Sequence, residues 1–276
     1  MGLFRFPVLF SSLVISFVHV CAMAPQRASR GTSAPLVDHF ARRARARGYL
    51  ARSAFKLLEL VEKYQTLLPS SSGLPRVLDL GCAPGSWTQV VLERMSPKGV
   101  VIGVDLAQTP LERIHDARAI SVCSDMTKTK RTLVKCVSAL NLNNNTAKPS
   151  ALFDCVLSDA MANTTGAREV DADRSRELVR AALRLALGEQ HAGRDDFGDD
   201  DDDEEEGDEL ARHLAQVGSL RARGSVAIKL FAGDPKEEKA ILQLLRDNFT
   251  RAHRVRLSTS RKDSREEYLV GLGRRM

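Results

Sequence analysis

Residues 77–87, which read VLDLGCAPGSW, constrain the fold of this chain more than any other segment. A short apolar run predicts a buried strand, which leads into a turn that contains Gly81 and Gly85. Glycine adopts backbone angles that other residues avoid, so such a turn can bend tightly and approach a ligand closely. A helical pattern begins at about Ser86, and the first turn of that helix offers free N–H groups. A strand, a glycine turn and a helix in this order predict a ligand-binding βαβ unit.

Apolar runs alternate with helical patterns along the rest of the chain, which is typical of a parallel sheet with crossover helices. Strands are expected at about 76–80, 100–105, 119–123, 153–158 and 225–230, and helices at about 86–95, 131–140, 173–187, 210–220 and 236–249. Ser53 can cap an earlier helix. Two last strands, at about 254–257 and 268–272, have a short connection, which favours an antiparallel hairpin at the end of the sheet.

Acidic residues follow the second and third predicted strands. Asp105 ends the second strand, 20 residues after Gly85, where a carboxylate can accept both hydroxyls of a ribose. Asp125 follows the third strand, where it can accept a hydrogen bond from an adenine amino group. The turn reads G-x-x-x-G and lacks the third glycine of a dinucleotide fingerprint, which favours an adenosine ligand without phosphates. Each acid alone is more often a cap or turn residue, but the carboxyl ends of parallel strands share one ligand-binding edge.

A second polar group is associated with the last strands of the chain. Asp159 follows the fourth strand in SDAMAN, Lys229 interrupts the apolar run VAIKLF, and Glu266 opens the last strand in SREEY. An unpaired buried lysine is costly, so a buried Lys229 requires a carboxylate partner or a role in a site. The alternative is that the two-residue period of a strand directs Lys229 to solvent.

These segments together resemble the FtsJ-like S-adenosylmethionine-dependent methyltransferases, which act on ribose 2′-hydroxyls of ribosomal RNA. The resemblance runs from about Arg47 to Arg274 and rests on RSAFK, DLGCAPGSW, Asp105, Asp125, SDAMAN, VAIKLF and SREEY, in family order. It implies an α/β, Rossmann-like class I methyltransferase fold, with a mostly parallel seven-stranded sheet, an antiparallel final strand and helices on both faces. The chain departs from the family at Ser86, commonly glycine, at Ala162, usually proline, and in an insertion after about Gly193.

The family resemblance implies a K-D-K-E catalytic tetrad formed by Lys56, Asp159, Lys229 and Glu266. The S-R-E spacing selects Glu266 rather than the adjacent Glu267. Lys229 is expected to accept or orient the proton of the ribose hydroxyl, while the two carboxylates hold the two ammonium groups. The cofactor is expected to be S-adenosyl-L-methionine, without a metal. The cofactor pocket is expected to comprise Gly81, Pro84, Gly85, Ser86, Trp87, Asp105, Leu106, Asp125, Met126 and Asp159.

The charges of the chain are unevenly distributed. The chain has 41 Lys and Arg against 35 Asp and Glu, but 12 acids and no base lie between Asp195 and Glu209. The remainder is strongly basic, which favours a phosphate-rich partner.

RNA contacts are expected from basic residues on both sides of the catalytic edge. They are Arg42, Arg43, Arg45, Arg47, Arg52, Arg254, Arg256, Arg261 and Lys262, together with Arg274 and Arg275. Alternatively, the arginines from Arg42 to Arg47 belong only to an import sequence, which applies less to Arg52 because it lies in the family-like RSAFK segment. The acidic insertion, at about 193–209, is expected to be a disordered, solvated loop.

The amino-terminal segment indicates targeting. Residues 6–23 carry no charged side chain, and the following stretch to Lys56 has the single acid Asp38 among many arginines and serines. We expect a targeting leader over residues 1–35, followed by one methyltransferase domain over 36–276. A mitochondrial leader is preferred, since five scattered cysteines favour a reducing compartment. A plastid-type organelle or, if the leader is not functional, the cytoplasm or nucleus remain alternatives. No stable membrane association is expected after leader removal.

The family resemblance implies an enzyme that methylates a ribose 2′-hydroxyl in large-subunit ribosomal RNA. The resemblance implies a uridine as the target, and the leader implies an organellar ribosome. The expected partners are ribosomal RNA and the large ribosomal subunit or its assembly intermediate. Two alternatives stay open at this point: a ribosome-assembly factor that acts mainly by binding ribosomal RNA, and a 2′-O-methyltransferase for tRNA or mRNA caps.

Overall fold

The structure is a computed structural model that describes residues 39–69, 73–108, 111–140, 151–162, 165–192, 209–261 and 264–275. The predicted leader, Lys262 and nearly all of the acidic insertion lie outside the described residues, and their assignments stay predictions. Among the described helices, none is both long and apolar enough to cross a membrane.

Eight helices and seven strands follow one another in the described part of the chain. The helices are α1 (His39–Ala46), α2 (Ala54–Lys63), α3 (Ser86–Arg94), α4 (Thr129–Ala139), α5 (Arg168–Leu187), α6 (Glu189–Ala192), α7 (Glu209–Val217) and α8 (Pro235–Asn248). The strands are β1 (Arg76–Leu80), β2 (Val100–Asp105), β3 (Ala119–Cys123), β4 (Phe153–Ser158), β5 (Leu220–Phe231), β6 (Phe249–Val255) and β7 (Glu266–Arg274).

The strands form one sheet in the order β3-β2-β1-β4-β5-β7-β6. All pairings from β3 to β5 are parallel, whereas β7 is antiparallel to both β5 and β6. Six strands therefore point one way and β7 alone points the other, which confirms the predicted sheet and its terminal hairpin. The chain moves outward from β1 in one direction to β2 and β3, and in the other direction to β4 and β5. The carboxyl ends of β1 and β4 thus form the topological switch point, where α/β sheets bind ligands.

Two hydrophobic clusters cover the two faces of the sheet. Neighbouring residues of a strand belong to different clusters, as the two-residue period requires: Val77 packs with α2 and α3, and Leu78 packs with α4, α5 and α7. The same alternation separates Leu157 from Val156 on β4. Helices α2 and α5 consequently lie on opposite faces, and their ends approach the same edge of the sheet from two sides.

Several local predictions differ from the structure. Helix α5 begins five residues before the predicted Asp173, and β5 begins five residues before the predicted Ser225. Strand β6 includes Phe249, which the helical pattern assigned to the preceding helix. Ser53 occupies the N-cap position of α2, but its side chain makes no capping hydrogen bond. That prediction was wrong because the Ser53 hydroxyl instead shares a hydrogen bond with the Ser86 hydroxyl, 2.7 Å away.

Candidate active site

The glycine turn after β1 has the conformation that its sequence predicts. Gly81 and Gly85 have φ angles of +69° and +108°, both in the left-handed region that side-chain-bearing residues rarely adopt. A Cβ atom on Gly81 would lie 2.5 Å from the Cα of Ala160. The turn therefore packs directly against the segment that follows β4, and only glycine permits this approach at the switch point.

Asp105 fixes its carboxylate against this turn. One carboxylate oxygen accepts a hydrogen bond from the Ala83 N–H at 3.0 Å, and the other accepts from the Ala107 N–H at 3.1 Å. The adjacent Leu106 is 74% exposed, so an apolar side chain stands in solvent at the edge of the site. Asp125 is also exposed, and its carboxylate accepts hydrogen bonds from the Thr127 N–H and hydroxyl at 2.9 and 2.8 Å.

A buried acid lies beneath the same turn. The Asp79 side chain is fully buried, and one of its oxygens accepts a hydrogen bond from the Thr88 hydroxyl at 2.7 Å. The other oxygen has no hydrogen-bond partner among the described residues. Burial, together with the nearby Asp159 and Asp105 carboxylates, raises the pKa of Asp79 to about 7 despite the Thr88 hydrogen bond.

This half of the site fits S-adenosylmethionine by its chemistry. The Asp105 and Asp125 carboxylates create a negative environment that favours cationic groups, and the cofactor carries a sulfonium and an ammonium group. The Asp105 carboxylate lies against the glycine turn, and Leu106 offers an apolar surface beside it. Over the described ranges, no group of three His, Cys, Asp or Glu side chains could hold a metal ion.

Three predicted pocket residues direct their side chains into the protein. The Trp87 indole is 2% exposed, donates to the Ser53 carbonyl oxygen at 2.9 Å and stacks on the Tyr268 ring at 5.9 Å between centroids. The Ser86 hydroxyl bonds Ser53, and the Met126 side chain belongs to the core. Trp87 and Ser86 turn inward because the first turn of α3 packs toward α2. The assignment of all three residues to the cofactor pocket stays a prediction. Pro84 is exposed at the turn.

The four predicted tetrad residues meet at the carboxyl edge of β4 and β5. The Lys229 ammonium donates to the Asp159 carbonyl oxygen at 2.6 Å and lies 3.2 Å from the Asp159 carboxylate. The Lys56 ammonium lies 2.7 Å from the Glu266 carboxylate and 3.8 Å from that of Asp159. The Lys229 side chain is 4% exposed. The expectation that a buried Lys229 meets a carboxylate is confirmed, and the solvent-facing alternative is wrong.

Tyr268 joins this network, although the sequence arguments did not single it out. Its hydroxyl donates to the Asp159 carboxylate at 2.8 Å and lies 3.4 Å from the Glu266 carboxylate. Burial, followed by the charges of these two acids, raises the pKa of Tyr268 well above its usual value, so the hydroxyl stays protonated. The available signal was the position of Tyr268 two residues after Glu266, on the same face of β7. Ser260 also donates to Glu266, at 2.8 Å.

Glu266 and Glu267 have different surroundings although they are neighbours. Glu266 is buried and contacts Lys56, Ser260 and Tyr268. Glu267 instead pairs with Arg254 of β6. The structure thus places in the network the glutamate that the S-R-E spacing selected.

The predicted RNA-binding arginines near the amino terminus fall into two groups. The side chains of Arg42, Arg43, Arg45 and Arg47 are exposed on or just after α1. The Arg43 and Arg47 guanidinium groups lie 4.9 and 5.8 Å from the Phe55 ring centroid. Arg52 has a structural contact: it donates to the Thr259 carbonyl oxygen at 2.8 Å and so ties α2 to the β6–β7 connection.

The carboxyl-terminal arginines are similarly divided. Arg256 and Arg261 are exposed in the β6–β7 connection near the tetrad. Arg254 pairs with Glu238 at 2.7 Å and with Glu267. Arg274 donates to the carbonyl oxygens of Val217, at 2.7 Å, and Leu220, and the Arg275 N–H donates to Asn248 at 2.9 Å.

The prediction that Arg274 and Arg275 flank the catalytic edge was wrong. Strand β7 is antiparallel to its neighbours, so Glu266 at its start and Arg274 at its end lie at opposite edges of the sheet. The partners of Arg274 lie at the start of β5 and at the end of α7, away from the tetrad.

Comparisons with known proteins identify relatives of this chain. The FtsJ-like methyltransferase family matches residues 49–274. A ribosomal RNA large subunit methyltransferase E from Methanothrix thermoacetophila is 34% identical over 85% of this chain and 71% of the relative. The protein of the same name from Desulforapulum autotrophicum is 30% identical over 86% of this chain and 93% of the relative. In a Plasmodium falciparum crystal structure named as a ribosomal RNA methyltransferase, the fold is similar, with a TM-score of 0.55 and 22% identity over 82% of this chain and 98% of that one. The chain therefore belongs to the FtsJ-like methyltransferase family, whose members use S-adenosylmethionine.

Proposed function

We propose that this protein methylates a ribose 2′-hydroxyl of large-subunit ribosomal RNA. The observation that carries the proposal is the buried network of Lys56, Asp159, Lys229 and Glu266 beside the glycine turn. The choice of ribosomal RNA is supported by relatives that are named ribosomal RNA large subunit methyltransferase E and that match most of the chain.

The cofactor half of the site would hold S-adenosylmethionine between the glycine turn and the acids of β2 and β3. Asp105 would accept the ribose hydroxyls, and Asp125 the adenine amino group. When bound, the cofactor supplies a methyl group activated by the positive sulfonium. Asp159 belongs to both halves, because it follows β4 at the switch point and also contacts Lys229. It would therefore set the distance between the methyl donor and the ribose.

Lys229 is the residue best placed to act on the attacking hydroxyl. A ribose 2′-hydroxyl is a weak nucleophile, so its orientation and the path of its proton decide the rate. The carbonyl and carboxylate oxygens of Asp159 fix the Lys229 ammonium group from two sides. Lys56 and Glu266 complete a set of two cations and two anions. Loss of one member would leave a buried partner charge uncompensated, which is costly.

We further propose that the target nucleotide is a uridine, that the ribosome is mitochondrial and that the methylation is linked to large-subunit assembly. The uridine and the link to assembly rest on the family resemblance. The mitochondrial setting rests on the apolar, then arginine-rich, amino-terminal sequence. Mapping 2′-O-methylation across organellar ribosomal RNA with and without the protein tests the uridine and the mitochondrial setting, and an unchanged organellar methylation map would contradict both.

Methyl transfer to purified large-subunit RNA tests the main proposal. Lys229→Ala is expected to lower kcat by at least about 1,000-fold, since it removes a group that acts on the nucleophile. The affinity for S-adenosylmethionine is expected to stay within about twofold, because Lys229 lies outside the glycine turn and its acids. Lys239→Ala, an exposed lysine on α8, is the matched control and should behave as wild type.

Two outcomes would contradict the proposal. Undiminished turnover by Lys229→Ala would exclude the assigned role of this lysine. Faster methylation of tRNA or capped mRNA than of large-subunit RNA by the wild-type protein would exclude ribosomal RNA as the preferred substrate.

A further inference from the structure

A groove beside the tetrad is lined by arginines that the sequence arguments did not consider. It has a volume of about 440 Å³ and lies between the first turns of α5, the β5–α8 connection and the residue before β7. Arg168, Arg176 and Arg265 line it. Arg265 immediately precedes Glu266, and its carbonyl oxygen accepts from the Ala232 N–H at 3.0 Å. The groove therefore adjoins the catalytic edge of the sheet.

Two of the three acidic residues of the groove are engaged with other groups. Asp173 pairs with Arg176. Asp234 accepts a hydrogen bond from the Lys236 N–H at 2.9 Å and caps α8. Glu169 lies in the first turn of α5, where the helix dipole stabilises a negative charge.

Arg168 and Arg265 differ from Arg176, which pairs with Asp173, in the groups that they contact. The Arg265 guanidinium donates to the Arg168 carbonyl oxygen at 3.5 Å. Across the described ranges, neither guanidinium has a carboxylate partner. Two uncompensated guanidinium groups in one concave surface form an anion-binding arrangement, because their planar N–H donors match phosphate oxygens.

The groove and the arginines of α1 lie on opposite sides of the tetrad. Helix α2, which carries Lys56 and contacts α1, belongs to one face of the sheet, whereas α5, which begins at Arg168, belongs to the other. An RNA strand that crosses the carboxyl edge would present its target ribose to the tetrad between two basic surfaces. Phosphate groups flank every ribose, so contacts on both sides fit such a path.

We infer that Arg168 and Arg265 bind backbone phosphates of the substrate RNA next to the modified nucleotide. This inference rests on the proposed function and adds a subsite to it. Unpaired guanidinium groups beside a site that receives a ribose favour RNA phosphate over an acidic protein segment, because the polymer that supplies the ribose also brings the phosphates.

Substitution of the two arginines tests this subsite. Arg168→Gln and Arg265→Gln are each expected to raise Kd and KM for large-subunit RNA by about fivefold, the effect of one exposed ionic contact. The slope of log Kd against log salt should fall by about 0.7 for each arginine removed, as expected for single-stranded RNA. KM for S-adenosylmethionine should not change. Arg246→Gln, an exposed arginine in the last turn of α8 at the opposite edge, is the matched control.

A conservative variant separates phosphate binding from an indirect effect on the neighbouring Glu266. Arg265→Lys keeps the charge and should retain the wild-type salt slope, while Arg265→Gln loses part of it. The thermal unfolding midpoint should be the same for Arg168→Gln, Arg265→Gln, Arg265→Lys and Arg246→Gln. Arg168 and Arg265 line an open groove, and Arg246 is exposed. A lowered kcat with unchanged RNA affinity in Arg265→Gln would overturn the inference.

Binding and methyl transfer are measured separately, so two failures can be told apart. An inactive wild-type protein would contradict the proposed function. An RNA affinity of Arg168→Gln and Arg265→Gln equal to that of Arg246→Gln, with an active wild type, would contradict the phosphate subsite alone. A defect seen with assembled subunits but absent with naked RNA would assign the groove to a protein partner and would also overturn the inference.

Discussion

The two halves of the carboxyl edge are constructed in different ways. In the cofactor half, at β1 to β3, the carboxylates of Asp105 and Asp125 are held mainly by backbone N–H groups a few residues away or in the adjacent turn. In the catalytic half, at β4, β5 and β7, side chains hold one another across the fold, as Lys56 holds Glu266 over a separation of 210 residues. The cofactor half is therefore encoded locally, whereas the catalytic half exists only in the assembled sheet.

The two halves also differ in charge balance. The catalytic half contains two ammonium groups and two carboxylates in mutual contact. In the cofactor half, neither Asp105 nor Asp125 has an ion-pair partner within the described ranges, and Asp79 has an orphaned oxygen. A balanced network is stable without a ligand, while an excess of negative charge favours a cationic one. Mutations in the two halves should consequently affect different measurements.

After Lys229→Ala, the largest effect is expected from Glu266→Gln in the catalytic half. Lys56 would lose its charged partner at 2.7 Å. Breaking a buried ion pair in this way lowers the free energy of unfolding by about 3–5 kcal/mol. We expect kcat to fall by about 100- to 1,000-fold with little change in cofactor affinity. Glu267→Gln changes the next residue on the same strand, which pairs with Arg254 outside the tetrad, and should alter kcat by less than about threefold. Equal losses in both variants would show that the network does not distinguish the two glutamates.

Gly81→Ala in the cofactor half is expected to have a smaller effect than Glu266→Gln, but to change both stability and cofactor affinity. The new Cβ atom would lie 2.5 Å from the Ala160 backbone at a φ of +69°. Strain and overpacking together should reduce the free energy of unfolding by about 3–5 kcal/mol, and cofactor affinity should fall by at least about tenfold.

Gly48→Ala is the control for this substitution. Gly48 has a similar φ of +77°, but a Cβ atom there would meet nothing within 4 Å. The Gly48→Ala substitution should lower the free energy of unfolding only by the backbone strain, about 1 kcal/mol, and leave cofactor affinity unchanged. Chemical denaturation and calorimetric titration measure both quantities. Equal destabilisation by the two variants would show that the close approach to Ala160 has no energetic role.

The smallest effect is expected from Asp79→Asn and appears only in the pH dependence of stability. The folded protein keeps the Asp79 proton up to a pKa of about 7, while the unfolded chain releases it near the ordinary aspartate pKa of 3.8. The folded state thus binds more protons between these values, so stability falls as pH rises from about 4 to 7. Between pH 5 and 8 this decline amounts to about 2–3 kcal/mol for the cofactor-free protein.

Asp79→Asn should abolish that part of the pH dependence in urea unfolding. Asp116→Asn provides the opposite case, because hydrogen bonds from Arg118 lower the pKa of the Asp116 carboxyl. In the wild type, the ionised Asp116 carboxylate stabilises the folded state at neutral pH, and this stabilisation is lost under acidic conditions. If the wild type and Asp79→Asn had parallel stability curves from pH 5 to 8, Asp79 would be ionised throughout.

The cofactor half was largely predictable because its determinants are close together in the sequence. The glycine turn, Asp105 and Asp125 follow directly from strand ends and glycine positions. The directions of the Trp87 and Ser86 side chains were not predictable, since they depend on how the first turn of α3 packs on α2, a contact between separate elements.

The residues of the catalytic half could be predicted from the sequence only through the family resemblance. Their contacts became visible only in the assembled sheet. Composition and periodicity left open whether Lys229 faces a carboxylate or solvent. The structure decides this, because parallel pairing of β4 with β5 brings Asp159 next to the Lys229 ammonium. Tyr268 was missed for the same reason, because its partner Asp159 follows a different strand. The arginines of the groove were missed because the groove forms only where α5, the β5–α8 connection and the residue before β7 meet.

The sequence by itself determined the alternation of strands and helices, the turn at Gly81 and Gly85, and the order of the motifs, since each depends on a local backbone preference or on hydrophobic periodicity. Tertiary structure alone decided which charges are neutralised. Arg274 satisfies carbonyl oxygens at one edge of the sheet, while Arg265 at the other end of β7 has no carboxylate partner in the described ranges. The physical reason is that a charge acts through its neighbours in space, and the reversed direction of β7 sends the two ends of one strand to opposite edges.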